Sequence, residues 1–172
     1  MALHLTHSRI ADDGLVNLTG LENLRSLILN GERITDSGMV HVGQLSELRG
    51  VSLNNCASIT KAGIVHLGKL TNLEDLFLAY GSQIGSGLIH LKSLAKLEKL
   101  GLIETGINDA GLVHLETMRG LKTLSLIGNY HITDAGLVHL KGLANLESLY
   151  LGRTKGTDAG VAELQAALPN CD

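Results

Sequence analysis

Aromatic residues are nearly missing from this chain: one Phe, three Tyr and no Trp in 172 residues, 2% of the whole. A core built around large rings is excluded, although hydrophobic residues make up 44%. Proline is scarcer still, with Pro169 alone. No apolar run approaches the roughly 18 residues of a bilayer-spanning helix. No basic n-region with an apolar h-region opens the chain, so no secretory signal is visible. The net charge is −3 and no Lys/Arg cluster stands out, so the electrostatic footprint of nucleic-acid binding is missing. There is no G-x-S-x-G elbow, no phosphate-binding glycine loop and no H-E-x-x-H pair. The sequence expectation is therefore a non-enzyme.

Glycine is abundant, with 21 residues, and seven of them keep time: Gly14, Gly38, Gly63, Gly87, Gly111, Gly136 and Gly160. Each belongs to a copy of one phrase, clearest as I-T-D-S-G-M at Ile34 to Met39, I-N-D-A-G-L at Ile107 to Leu112 and I-T-D-A-G-L at Ile132 to Leu137. Such a fixed period of about 24 residues is the mark of a solenoid. Before each phrase stands L-x-x-L-x-L, as in Leu97, Leu100 and Leu102. Its alternating end predicts a short strand with one buried face. After the phrase the spacing nears 3.6, as in Leu137, Leu140 and Leu143, which predicts a short amphipathic helix. The Thr or Asp before that helix (Thr35-Asp36, Thr133-Asp134, Thr157-Asp158) is the expected N-cap. One strand and one helix cannot bury their faces alone, so the copies must stack. The phrase glycine, poor in a helix, implies a close approach of the neighbouring copy.

These motifs resemble the leucine-rich repeat superfamily, in its short, helix-backed class common in bacterial proteins and related to the ribonuclease-inhibitor-like group. The resemblance implies an α/β fold: a curved leucine-rich repeat solenoid of about seven repeats, with parallel strands concave and short helices convex. One domain covers 1–172, its first repeat incomplete. The ladder position after the strand is held by Ser8, Cys56, Thr105, Asn129 and Thr154, with Glu32 and Gly81 departing from the usual type. The fourth copy, Gly85-Ser86-Gly87, also departs from the phrase.

The resemblance further implies that residues between the strand leucines face the concave side. That column reads His4, Ile28, Ser52, Phe77, Gly101, Ser125 and Tyr150, and the next column includes Ile103 and Ile127. Phe77, Ile103, Ile127 and Tyr150 are expected to form one exposed apolar patch, with Ile28 further off. Such a patch marks an interaction site, and aromatics are its usual anchors. A second candidate edge lies in the strand-to-helix loops, with Tyr80, Gln83, Tyr130 and Arg153. The function expected is a non-enzymatic protein-binding module for an unidentified protein. Two alternatives stand beside it. One is a scaffold pairing as a homodimer through an uncapped N-terminal edge strand. The other is an excised adaptor or receptor segment, like an F-box substrate receptor.

His41, His66, His90, His114 and His139 recur three residues after the phrase glycine. They are expected to stack on the outer helices as half-buried structural groups. A straight column does not converge tetrahedrally, so no metal site is expected, nor any cofactor. Five stacked imidazoles could still respond to acid. Cys56 and Cys171 fall about four strand spacings apart, roughly 19 Å, too far for a disulfide. Two unpaired thiols favour a reducing compartment. Cys56 is expected in a buried ladder position and Cys171 in a frayed terminus. Asn17-Leu18-Thr19 is a formal glycosylation sequon in a helical segment and is discounted.

Overall fold

Each L-x-L places two leucines on one side of an extended segment, and stacking turns those pairs into a wall. The computed structural model describes residues 1–6, 9–31, 33–81 and 84–172. The expected ladder residues Ser8 and Glu32 and the rim residue Gln83 lie outside the described residues. Seven strands form one sheet in chain order: β1 (Ala2–Leu5), β2 (Ser26–Asn30), β3 (Gly50–Asn54), β4 (Asp75–Ala79), β5 (Lys99–Ile103), β6 (Thr123–Ser125) and β7 (Ser148–Tyr150). All neighbours are parallel and pair without slippage, so Leu27, Val51, Leu76, Leu100 and Leu124 stack in one buried file. These leucines and those of the helices form one continuous core from end to end.

The return path of each repeat carries α1 (Asp12–Leu15), α2 (Asp36–Val42), α3 (Lys61–Leu67), α4 (Asp109–Leu112), α5 (Asp134–Leu137) and α6 (Asp158–Ala167). The amphipathic helices expected from the sequence are shorter and tighter than the spacing suggested. In the first, fifth and sixth repeats one α-turn passes into a 3₁₀ turn. In the fourth repeat, Gly85–Ser93 is 3₁₀ throughout. Short helical pieces readily tighten in this way.

The phrase itself divides its labour between threonine and aspartate. Thr35, Thr60, Thr133 and Thr157 are the N-caps, each hydroxyl accepting from a backbone N–H of its own helix. Asn108 does the same for α4. The aspartate instead reaches the next repeat. Asp36 Oδ1 accepts from Thr60 N at 2.7 Å and Oδ2 from Thr60 Oγ1 at 2.7 Å. Asp12 holds Thr35, Asp109 holds Thr133 and Asp134 holds Thr157 in the same way. These charge-assisted bonds link neighbouring repeats along the convex side.

The phrase glycine makes room for that link. A Cβ on Gly136 would strike the Asp109 carboxylate and stand 3.0 Å from the Asp109 Cα. On Gly63 it would stand 2.5 Å from Asp36 Oδ1. The chain of links fails in the middle. Lys61 takes the aspartate place in the third repeat, and the fourth repeat offers Gly85 there and has no side-chain cap. The element without cap or link is the one that is 3₁₀ along its whole length.

Residues 168–172 fold back against β7. Leu149 N donates to the Asp172 carbonyl at 2.8 Å, and Asp172 N donates to Glu147 O at 2.9 Å. Gln165 Nε2 donates to the carbonyls of Leu168 and Cys171. Cys171 is therefore not in a frayed terminus. It is buried, because Asp172 pins the segment onto β7. Burial raises the Cys171 thiol pKa, helped by Asp172, and burial likewise raises that of Cys56.

Candidate functional site

Because the strands pair in register, residues on the solvent side of the sheet form straight columns. The central column runs His4, Ile28, Ser52, Phe77, Gly101, Ser125, Tyr150. Phe77 is 38% exposed and Tyr150 is 51% exposed. They stand three strand spacings apart, about 14 Å. Between them the column is nearly bare. The Phe77 ring leans along the sheet over Gly101, where an added Cβ would strike Cδ1 and lie 3.1 Å from Cε1. Ser125 is buried, and its hydroxyl has no partner among the described residues. Two aromatic posts thus flank a shallow floor of Gly101 and Ser125.

Ile103 and Ile127 lie beside this floor and are half-buried, less exposed than their column suggested. Ile103 pairs across from Ala79 in the strands. Ile127 lies past the end of β6. Ile28 is also half-buried, and it is not set apart from the aromatic end. Together with Ser26, Gly50, Ser52, Asp75 and Phe77 it lines one hollow of about 170 Å³. Gly50 and Ser52 are too small to separate Ile28 from Phe77. At the same edge Lys99 and Asp75 form an ion pair at 3.4 Å.

The rim above this face has an unusual backbone. Asn55, Tyr80, Glu104, Gly128 and Arg153 each follow the strand position, and all have positive φ, between 51° and 76°. Tyr80 N donates to Ile103 O, Glu104 N to Ile127 O and Gly128 N to Gly152 O, so the chain must turn left-handed here to bond the next repeat. Glycine is the residue such a turn favours, and only one of the five positions has it. Gly128 shows what glycine allows: Glu104 packs across it, and Arg153 Nη1 reaches Glu104 Oε1 at 3.6 Å from two repeats away. Tyr80 and Tyr130 are 50% and 53% exposed. The left-handed run was not legible in the sequence, since Tyr, Glu and Arg carry no turn signal.

Every aromatic side chain of the protein is therefore exposed, and all four stand on this face or its rim. Beneath the rim, the polar ladder is most fully bonded at Asn129 among the described residues. Asn129 is buried, and Nδ2 donates to Leu102 O and Leu126 O at 2.6 and 2.8 Å. Its Oδ1 accepts from Thr105 N and Ile107 N. Asn129 so fixes the loop that carries Tyr130.

On the convex side, His41, His66, His114 and His139 are half-buried, and His90 is exposed. His139 Nδ1 lies 2.5 Å from Glu116 Oε1. His66 Nδ1 is buried with no partner among the described residues. Burial lowers the pKa of His66, with Lys69 adding and Asp36 opposing. Burial, Lys92 and His90 lower that of His114. Among the described residues no three His, Cys, Asp or Glu side chains converge as metal ligands, and no helix is long and apolar enough to cross a membrane.

No protein-family model matches the chain, and no curated protein matches it by sequence. Solved structures do match. An internalin C2 from Listeria monocytogenes superposes with a TM-score of 0.78 at 24% identity, over 99% of this chain and 68% of that one. A chain from the complex of Rad7 and Elc1 in yeast gives 0.74 at 25% identity, over 93% of this chain and 44% of that one. An internalin, InlF, also from L. monocytogenes, gives 0.68 at 21% identity, over 99% of this chain and 52% of that one. The chain spans from under half to about two thirds of these neighbours.

Proposed function

From the premise that this chain is a leucine-rich repeat solenoid, we propose that it is a non-enzymatic protein-binding module reading its partner with the concave sheet face and the strand-to-helix rim. One observation carries this reading. Phe77, Tyr80, Tyr130 and Tyr150 are the only aromatic residues of the chain, and none is used in the core. A buried ring would contribute far more to folding than an exposed one. Aromatic side chains held at a surface are the usual anchors of protein interfaces. Ser125 is buried and raises no side chain beside Tyr150, so a partner side chain can rest on the sheet there between the two rings. A likeness to a chain from the complex of Rad7 and Elc1 supports the general role in protein association.

The test is capture of a partner from lysate by the wild type and by the Phe77→Ala/Tyr150→Ala variant. Both side chains are solvent-exposed, so the melting curve should change little while capture is lost. Undiminished capture by a folded double variant would refute the concave reading.

A second reading is self-association through β1. Leu3, Ile10, Leu18 and Leu21, at that end of the solenoid, are only partly buried against the core. A second copy pairing there would cover them. Sedimentation of the wild type and of Leu3→Lys separates the two: a dimer dispersed by the substitution supports pairing, and a monomer at all concentrations removes it.

A further inference from the structure

A second surface lies on the opposite side. Two residues after the first six phrase glycines stands an aliphatic residue that the solenoid leaves in water: Val16, Val40, Val65, Ile89, Val113 and Val138, each 37–47% exposed. At most points along this stripe the neighbouring aspartates are present. In the third and fourth repeats they are not. There Lys61, Ala62, Val65, Ser86, Ile89, His90 and His114 line a hollow of about 520 Å³.

The lysines around that hollow are unpaired: Lys61 has no acid partner, and neither do Lys69 and Lys92 beside it, among the described residues. Burial is the main reason that His114 and His66 resist protonation, with Lys92 and His90 adding to it at His114, and Lys69 adding and Asp36 opposing at His66. Carboxylates of the neighbouring convex segments are already committed. Asp36 accepts from Thr60 and Gly63, Asp109 from Thr133, and Glu116 meets His139. The floor is aliphatic, Lys61 is the charged group that lines it, and among the described residues no carboxylate does.

We propose that this convex hollow binds an acidic segment of a protein partner, seating an aliphatic side chain between Val65 and Ile89 and a carboxylate against Lys61, with the ring N–H groups of His90 and His114 as hydrogen-bond donors beside it. A nucleic-acid backbone would meet the cations but would leave the aliphatic floor unfilled. The substitution of lysine for aspartate is what distinguishes this place from the rest of the stripe: it removes an internal link and supplies an external charge. The site is independent of the concave face.

The probe is a fluorescent amphipathic peptide of Leu and Glu, read by anisotropy, with Leu/Gln and Leu/Lys peptides as controls. The wild type should bind the Leu/Glu peptide saturably and lose affinity as salt rises. Lys61→Asp, which restores the residue of the other repeats, should weaken binding roughly tenfold or more through like-charge contact. Ile89→Thr should weaken it without changing the salt dependence. Lys155→Asp, which makes the same charge change on the far loop, should leave it intact. Melting curves confirm that each variant is folded. Equal binding of the Leu/Gln peptide, wild-type affinity in Lys61→Asp, or no saturable binding of the Leu/Glu peptide would each overturn the assignment.

Discussion

Gly136 and Tyr80 are opposite cases of a side chain and its backbone. At Gly136 the missing Cβ is a requirement of packing, since Asp109 occupies its place. Gly136→Ala is expected to lower stability by about 1–3 kcal/mol, the usual cost of overpacking, although Ala is the better helix former. A raised melting temperature would contradict that. At Tyr80 the side chain is present where glycine would suit the backbone better. Relief of left-handed strain is worth about 1–2 kcal/mol and the added freedom of glycine costs about 0.5–1, so Tyr80→Gly should be neutral to slightly stabilising. Partner capture should nevertheless weaken. A clear fall in melting temperature would show that Tyr80 serves the fold instead. The periodic glycine was legible from its spacing alone, because it repeats. The strain at Tyr80 was not, because backbone handedness follows from the bond to the next repeat. Cys171 was misread for a related cause: terminal position suggests fraying, but Asp172 pairs with β7.

Strands β1 to β7 could be read directly, since period-2 leucines permit little else. The helical side was less transparent. Thr and Asp are both good N-cap residues, and nothing local assigns one to capping and the other to the neighbouring repeat. The exposed Val and Ile of the convex stripe carry no polar mark that sets them apart from core positions. The links have a pH signature. Bonds from the Thr157 N–H and hydroxyl lower the Asp134 pKa. A depressed carboxylate contributes stability above its ordinary value of 3.8, and that contribution is lost as pH falls through the lowered value. His66 and His114 act earlier. Their depressed values mean that the unfolded chain takes up protons first, so stability declines as pH drops below 6.5. Thermal melts of the wild type should therefore fall between pH 7.5 and 5. A His66→Gln/His114→Gln variant should show a smaller fall over that range and should retain the later, acidic loss. An equal fall in both proteins would remove the histidines as its cause. In the loops, Asn129 bonds four backbone groups, and Asn129→Ala should cost about 3 kcal/mol by leaving them unpaired. A loss well under 1 kcal/mol, measured by denaturant unfolding, would mean that water replaces it.

Repetition makes the solenoid a scaffold with two unlike faces. The residues that recur, including the leucines, the phrase glycine and the Asp–Thr links, build one core and one sheet. The residues that do not recur stand outside: four aromatics on the concave side, and Lys61 with its cations on the convex side. The fold was legible because seven copies reinforce each other. The site was legible only as a column, because exposure depends on neighbouring strands. Phe77 covers Gly101, and Gly50 with Ser52 joins Ile28 to Phe77, and neither follows from one repeat read alone. Amide hydrogen exchange of the chain with and without its captured partner separates the faces most directly. Protection confined to 75–80, 99–104, 123–130 and 148–153 is expected if the concave face and rim read the partner. Protection confined to the convex segments 36–42, 61–67 and 85–93, with the strand segments unchanged, would contradict it.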